Sequence, residues 1–258
     1  MPSFNYSKTI FPLLFVETDE NDQPVTINYI GTCFFTAIAN FPCLITAKHV
    51  LEGCREIRGH FYIATKYGAQ DALKIIGGVV INKHFDIGAI IIDPSYYSQH
   101  KDEFSPIDIL EKELELGTDV VTFGYPGSMP VKTETKWKSL SEITIDQGVF
   151  KGYVQNIVDE KEQGGSQKTY MLNFPGKEGL SGAPLLIQKD DNIYCTGVIF
   201  KEKITQEKYT STEIETEIGK VELPIYRITS LALAWSFEHL KEFREMLEEV
   251  VQKIEGNP

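Results

Sequence analysis

Apolar residues recur along this chain in short runs, each closed by a polar or glycine- and proline-containing turn. Residues 9 to 17 and 25 to 38 are two such runs, joined by the polar segment Asp19-Glu20-Asn21-Asp22-Gln23-Pro24. Their composition predicts a pair of strands. Asn40-Phe41-Pro42 predicts a second turn, and Cys43 to Thr46 resumes an apolar strand. Ala47-Lys48-His49-Val50-Leu51 then reads as one helical turn ending at Gly53. Further strands are expected at Phe61–Ala64, Leu73–Ile81, Ile87–Ile92, Asp119–Phe123, Val149–Val154, Tyr170–Phe174, Pro184–Ile187, Ile193–Phe200 and Tyr226–Ser230. Many short strands at this spacing predict an all-β barrel or sandwich. Two polar stretches interrupt the pattern. Asp159 to Lys168 is expected to be a mobile loop; Lys201 to Glu222, charged and threonine-rich, fits either a mobile loop or an edge hairpin.

The period changes at the C-terminus. Phe237, Leu240, Phe243, Met246, Leu247, Val250, Val251 and Ile254 recur every three to four residues with Glu and Lys between them. That is the pattern of an amphipathic helix. It suits packing on the rest of the chain, and it also suits a protein partner or a second copy.

Charge narrows the partners. Lys and Arg number 25 against 37 Asp and Glu, a net charge of −12. Nucleic acids and anionic membranes both call for a basic surface, so neither is expected as a partner. No apolar run reaches the roughly 18 residues of a membrane-spanning helix. Thr9 to Val16 is apolar but short, and the first residues lack the basic-then-apolar order of a secretory signal. A cytoplasmic location is therefore expected. Cys33, Cys43, Cys54 and Cys195 form no CxxC pair and no cluster with zinc spacing. They are expected to be reduced thiols.

Three segments carry candidate chemistry. In Leu44-Ile45-Thr46-Ala47-Lys48-His49-Val50 an apolar strand runs into a small turn and delivers a histidine, a suitable place for a general base. In Phe85-Asp86-Ile87-Gly88-Ala89-Ile90-Ile91-Ile92 an acid opens an apolar strand. A carboxylate there needs hydrogen-bonded company, which an imidazole or a turn would supply. Asp93, at the far end of the same run, is its rival. In Gly179-Leu180-Ser181-Gly182-Ala183-Pro184 a serine stands between two glycines and before an apolar strand. Glycines free the backbone to turn N–H groups toward one point, as an oxyanion requires.

Taken together these segments resemble the trypsin-like (chymotrypsin-fold) serine peptidases. The order is His49, Asp86, Ser181, and the intervals are 37 and 95 residues. Gly31-Thr32-Cys33-Phe34-Phe35, Gly124-Tyr125-Pro126, Gln147-Gly148-Val149-Phe150-Lys151-Gly152 and Thr196-Gly197-Val198-Ile199 are similar to flanking strands and turns of that family. The similarity spans roughly residues 10 to 232. In style it looks closer to bacterial HtrA/Deg-type protease domains without a PDZ module than to digestive enzymes.

The resemblance implies two six-stranded antiparallel β-barrels, residues 9–115 and 116–232, followed by a C-terminal helix in 233–258. It implies a serine endopeptidase with Ser181 as nucleophile, His49 as base and Asp86 as the orienting carboxylate. The N–H groups of Gly179 and Ser181 would form the oxyanion hole. Substrate would lie against Lys177, Glu178, Leu180, Val198, Ile199, Phe200 and Glu202. Glu178 and Glu202 raise the question of a basic residue before the cut. A protein or peptide substrate is implied, with no metal and no organic cofactor. A regulatory protein partner is expected at the C-terminal helix or at loops 131–147 and 159–168, since no activation peptide is evident. The alternative is a silent peptide-binding or scaffold module on the same fold. The sequence departs from the family pattern at Lys48, Leu180, Ala183 and Phe200.

Overall fold

The computed structural model describes residues 4–38, 41–64, 72–75, 78–82, 85–126, 147–162, 165–216, 219–237 and 241–255. The first sheet is built from β1 (Ile10–Thr18), β2 (Pro24–Ile38), β3 (Phe41–Thr46), β4 (Gly59–Ala64), β5 (Ala72–Lys74), β6 (Val79–Ile81) and β7 (Gly88–Ile91). Its order is β5-β4-β1-β2-β3-β7-β6, antiparallel throughout. β1 is buried over Ile10–Val16, which explains its continuous apolar run. The single strand expected over 73–81 is two strands at opposite ends of this sheet: β5 pairs with β4 and β6 with β7. Gly77-Gly78 in the sequence is the breaker between them.

Helix α1 (Lys48–Glu52) follows β3, as the sequence predicts, and α2 (Pro94–His100) follows β7. The connection to the second half crosses both sheets. Ile107 N–H donates to the Phe35 carbonyl (3.1 Å) and Leu110 N–H to the Cys195 carbonyl (2.9 Å).

The second sheet contains β8 (Asp108–Ile109), β9 (Asp119–Gly124), β10 (Gly148–Glu162), β11 (Gly165–Leu172), β12 (Pro184–Lys189), β13 (Asn192–Thr216) and β14 (Gly219–Ser236). The order is β12-β9-β10-β11-β14-β13-β8, and a β12–β13 pairing closes six antiparallel strands into a barrel. β8 adds to β13 in parallel. This is an all-β architecture consistent with a chymotrypsin-like double barrel.

Three boundaries differ from expectation. Residues 159–162 and 165–168 are paired strand, Asp159 with Lys168 and Glu162 with Gly165, not loop. Of the two readings of 201–222, the hairpin is the structure: β13 and β14 pair out to Thr216 and Gly219. β14 runs on to Ser236, so the final helix, α3 (Lys241–Glu255), starts later than 233. Phe243 and Leu247 of α3 are buried in the larger core cluster, together with Phe34 and Phe237. Leu240 and residues 131–146 lie outside the described residues.

Candidate active site

β3 ends at Thr46 and α1 begins at Lys48, so the chain turns sharply and presents His49 at the surface. The imidazole is about half exposed, 48%, while the neighbouring Val50 and Leu51 are buried in the core. Those two side chains anchor the turn, and the histidine is left accessible. Asp86 lies just before β7, which pairs with β3 from Gly88↔Thr46 onward. Strand pairing thus brings the two residues together across 37 positions of sequence. One Asp86 oxygen accepts from the His49 main-chain N–H (2.8 Å) and the other meets His49 Nδ1 at 2.7 Å. The carboxylate fixes both the position and the ring orientation of the histidine, and it occupies Nδ1 rather than Nε2. Asp93 does something else. It caps α2, accepting from Ser95 N–H (2.8 Å) and Tyr96 N–H (3.1 Å).

Ser181 is placed by main-chain contacts with the first sheet. Its carbonyl accepts from Thr32 N–H at 2.9 Å. A methyl group on Gly31 would lie 2.9 Å from that carbonyl oxygen and 3.1 Å from Val50 Cγ2. Ser181 and the residue after His49 therefore meet across the backbone of Gly31. Among the described residues, no hydrogen bond joins Ser181 Oγ to the imidazole.

The turn around Ser181 requires its glycines. Gly179 and Gly182 have φ of +90° and +88°, a region that other residues seldom adopt. A methyl on Gly182 would sit 1.9 Å from the Thr32 carbonyl oxygen and 2.1 Å from Thr46 Oγ1. Leu180, Gly182 and Ala183 N–H groups donate to Lys177, Ile199 and Leu180 carbonyls. Among the described residues, the Gly179 and Ser181 N–H groups have no main-chain acceptor, which leaves both available to an external oxygen.

A clamp on this turn was not anticipated. Thr32 Oγ1 donates to the Gly179 carbonyl (2.7 Å) and accepts from Tyr125 N–H (3.2 Å). Tyr29 Oη lies 2.8 Å from both the Gly179 and Tyr125 carbonyls. Burial raises the Tyr29 phenol far above its usual range, against a smaller lowering by the Thr32 hydroxyl. It stays protonated and donates. The sequence signal was there: a hydroxyl in the buried run Thr32–Phe35 must find a partner.

The expected substrate contacts divide. Leu180, Val198, Ile199 and Phe200 are buried, so their side chains pack in the interior and only their main chain can face a substrate. Lys177 and Glu178 are exposed, and Lys177 Nζ lies 5.6 Å from the Phe150 ring centroid. Glu202 is half-buried and bonded to Ser230 Oγ. Leu180 joins the second-barrel core. Ala183 is outside the positive-φ set, so its methyl is tolerated. Phe200 stacks on Trp235 at 4.5 Å, and Phe85 packs on the same ring at 6.0 Å. The wall beside Asp86 is therefore aromatic. Lys48 pairs with Glu52 one turn on, at 3.7 Å.

A family model for the trypsin-like peptidase domain matches residues 31–193, more than half the chain and including His49, Asp86 and Ser181. The chain belongs to this family. Solved serine proteases share the fold of this trypsin-like peptidase domain. The thermostable serine protease AL20 from an extremophilic microorganism has 15% identity and a TM-score of 0.50, covering 90% of this chain and 92% of its own. Rv3671c from M. tuberculosis H37Rv, in a mutant inactive form, has 12% identity and a TM-score of 0.50 over 90% and 82%. Neuropsin, a serine protease expressed in the limbic system of mouse brain, has 9% identity and a TM-score of 0.51 over 94% and 95%. A comparison with curated proteins finds no match. Among the described residues, no group of His, Cys, Asp and Glu could hold a metal ion, and no helix is long and apolar enough to cross a membrane.

Proposed function

We propose that this trypsin-like peptidase domain is a serine endopeptidase acting through an acyl-enzyme. The observation that carries the reading is the double hold of Asp86 on His49, at the ring Nδ1 and at the main-chain N–H. Ser181 Oγ attacks the scissile carbonyl carbon as its proton passes to His49 Nε2. The carbonyl oxygen, now an anion, is received by the N–H groups of Gly179 and Ser181. His49 returns the proton to the leaving amine, the C–N bond breaks, and an ester to Ser181 remains. Water, deprotonated by His49, cleaves that ester. Asp86 holds the tautomer and stabilises the imidazolium throughout.

The missing hydrogen bond between Ser181 and His49 favours a second reading, a module that holds peptides without cutting them. Bonds of this kind commonly tighten only when substrate binds, so the first reading stands ahead. A fluorophosphonate separates the two. Labelling of Ser181, abolished in Ser181→Ala and His49→Ala, supports the hydrolase; an unlabelled wild-type protein supports the module. Limited proteolysis of cytosolic proteins, regulated by a partner at α3 or at residues 131–147 and 159–168, is the biological setting proposed.

A further inference from the structure

Two segments flank Ser181. One is the segment 175–180 that leads into the nucleophile. The other is β13, tied to the turn by Gly182 N–H to the Ile199 carbonyl (2.8 Å) and Ile199 N–H to the Ala183 carbonyl (2.9 Å). The substrate contacts expected at 177–180 and 198–202 would put the side chain that precedes the scissile bond between these two segments. Five residues before Ser181 the segments meet. A methyl on Gly176 would lie 2.6 Å from Glu202 Cβ and 2.9 Å from Glu202 Cα, so the Gly176 backbone already packs against Glu202. Gly176 is buried by this contact.

Ser230 secures the closure from β14. Its hydroxyl lies 3.2 Å from the Gly176 carbonyl and is bonded to the Glu202 carboxylate. Its one proton is shared between these two acceptors, so both are drawn to the same hydroxyl. The ladder shifts by one residue between Ile199 and Lys201, leaving Phe200 to stack on Trp235. Such a bulge re-aims the residues that follow it, and here it decides which of them meets the opposite segment.

We infer that Glu202, held by Ser230 against Gly176, shuts the slot for the side chain before the scissile bond, so that the enzyme cuts after small residues such as glycine, alanine and serine. This rests on the hydrolase reading above. It also answers the question of a basic preference: the Glu202 carboxylate is already engaged, and a lysine or arginine has no path past Gly176.

The test uses peptidyl diphenyl phosphonates that differ only in the residue beside phosphorus: alanine, phenylalanine or arginine. The rate of Ser181 modification is read by intact mass on the full chain. The alanine probe is expected to react at least about 10-fold faster than the other two, the scale on which pocket size discriminates. Glu202→Gly should bring the three rates together, and Ser230→Ala, which removes only the clamp, should narrow the ratio in the same direction. An equal or faster reaction with the arginine or phenylalanine probe in wild type overturns the inference alone. Failure of a plain fluorophosphonate to label Ser181 overturns the hydrolase reading and the selectivity with it.

Discussion

Asp86 and Asp93 bound the same buried strand and do unrelated work. Asp86 orients His49, whereas Asp93 ends the strand by capping α2. Replacing each tells the two apart. Asp86→Asn should lower turnover by roughly 10⁴-fold, the scale seen when such a carboxylate is lost and the imidazole tautomer reverses. Asp93→Ala should leave turnover alone and cost about 0.5–2 kcal/mol of stability, as cap removal does. The Ser95 hydroxyl, then the helix N–H groups, hold the Asp93 carboxyl below its ordinary range. Its contribution is therefore present above about pH 4 and fades as pH falls through the folded value. Acid titration of wild type and Asp93→Ala should converge at low pH. The sequence left this choice open because an acid at either end of an apolar run looks alike; only the β3–β7 pairing decides it. Tyr29 was hidden for a different reason. Its partners are carbonyls 96 and 150 residues away, which no local pattern reveals. Tyr29→Phe removes one hydroxyl from behind Gly179 while leaving the ring in place. One hydrogen bond is worth about 1 kcal/mol. The expected result is a thermal midpoint lower by about 2–4 °C, together with slower fluorophosphonate labelling.

Among elements, periodic signals carried over and polar signals misled. α3 takes up the three-to-four-residue repeat from Phe243 onward, because burial of Phe243 and Leu247 is what the repeat encodes. The strand Leu73–Ile81 failed because its two halves belong to opposite ends of one sheet, and pairing partners are not written in a nine-residue run. Residues 159–168 read as loop because polarity reports exposure rather than a lack of pairing. A ladder is made by main-chain groups, so polar side chains do not prevent it. The same holds for β13 and β14, whose ladder continues to Thr216 and Gly219. Packing of α3 on its own chain has a measurable consequence. Phe243 is fully buried, so Phe243→Ala should cost about 3–5 kcal/mol. Denaturant titration should show the midpoint falling at constant slope. A variant as stable as wild type would mean that α3 is dispensable to the fold and available to a partner.

For the molecule as a whole, two sheets share one site, and each half holds part of it. On the hydrolase reading proposed above, the first would supply His49, Asp86 and the Tyr29–Thr32 clamp, and the second Ser181 and the Gly179 and Ser181 N–H groups. The larger core cluster runs through both, from Ile10 to Trp235. Cys33, Cys43 and Cys195 sit inside this packing, and all four cysteines are free and buried. Burial pushes the Cys43 thiol up to about 12 and Cys54 to about 11, and raises Cys33 and Cys195 further. The nucleophilic form is the thiolate, whose ordinary pKa is about 8.5. Iodoacetamide at pH 8 should therefore leave the native protein unmodified and alkylate all four positions once denaturant is added. Stability should follow the same linkage. Below about pH 8.5 neither state ionises its thiols, and their full contribution is present. Between that pH and about 11 the unfolded chain loses thiol protons that the folded chain keeps, so stability falls as pH rises. Rapid native alkylation at pH 8, or a thermal midpoint that alkaline pH leaves unmoved, would show that these thiols are reached by solvent and that the two halves are not packed as one core.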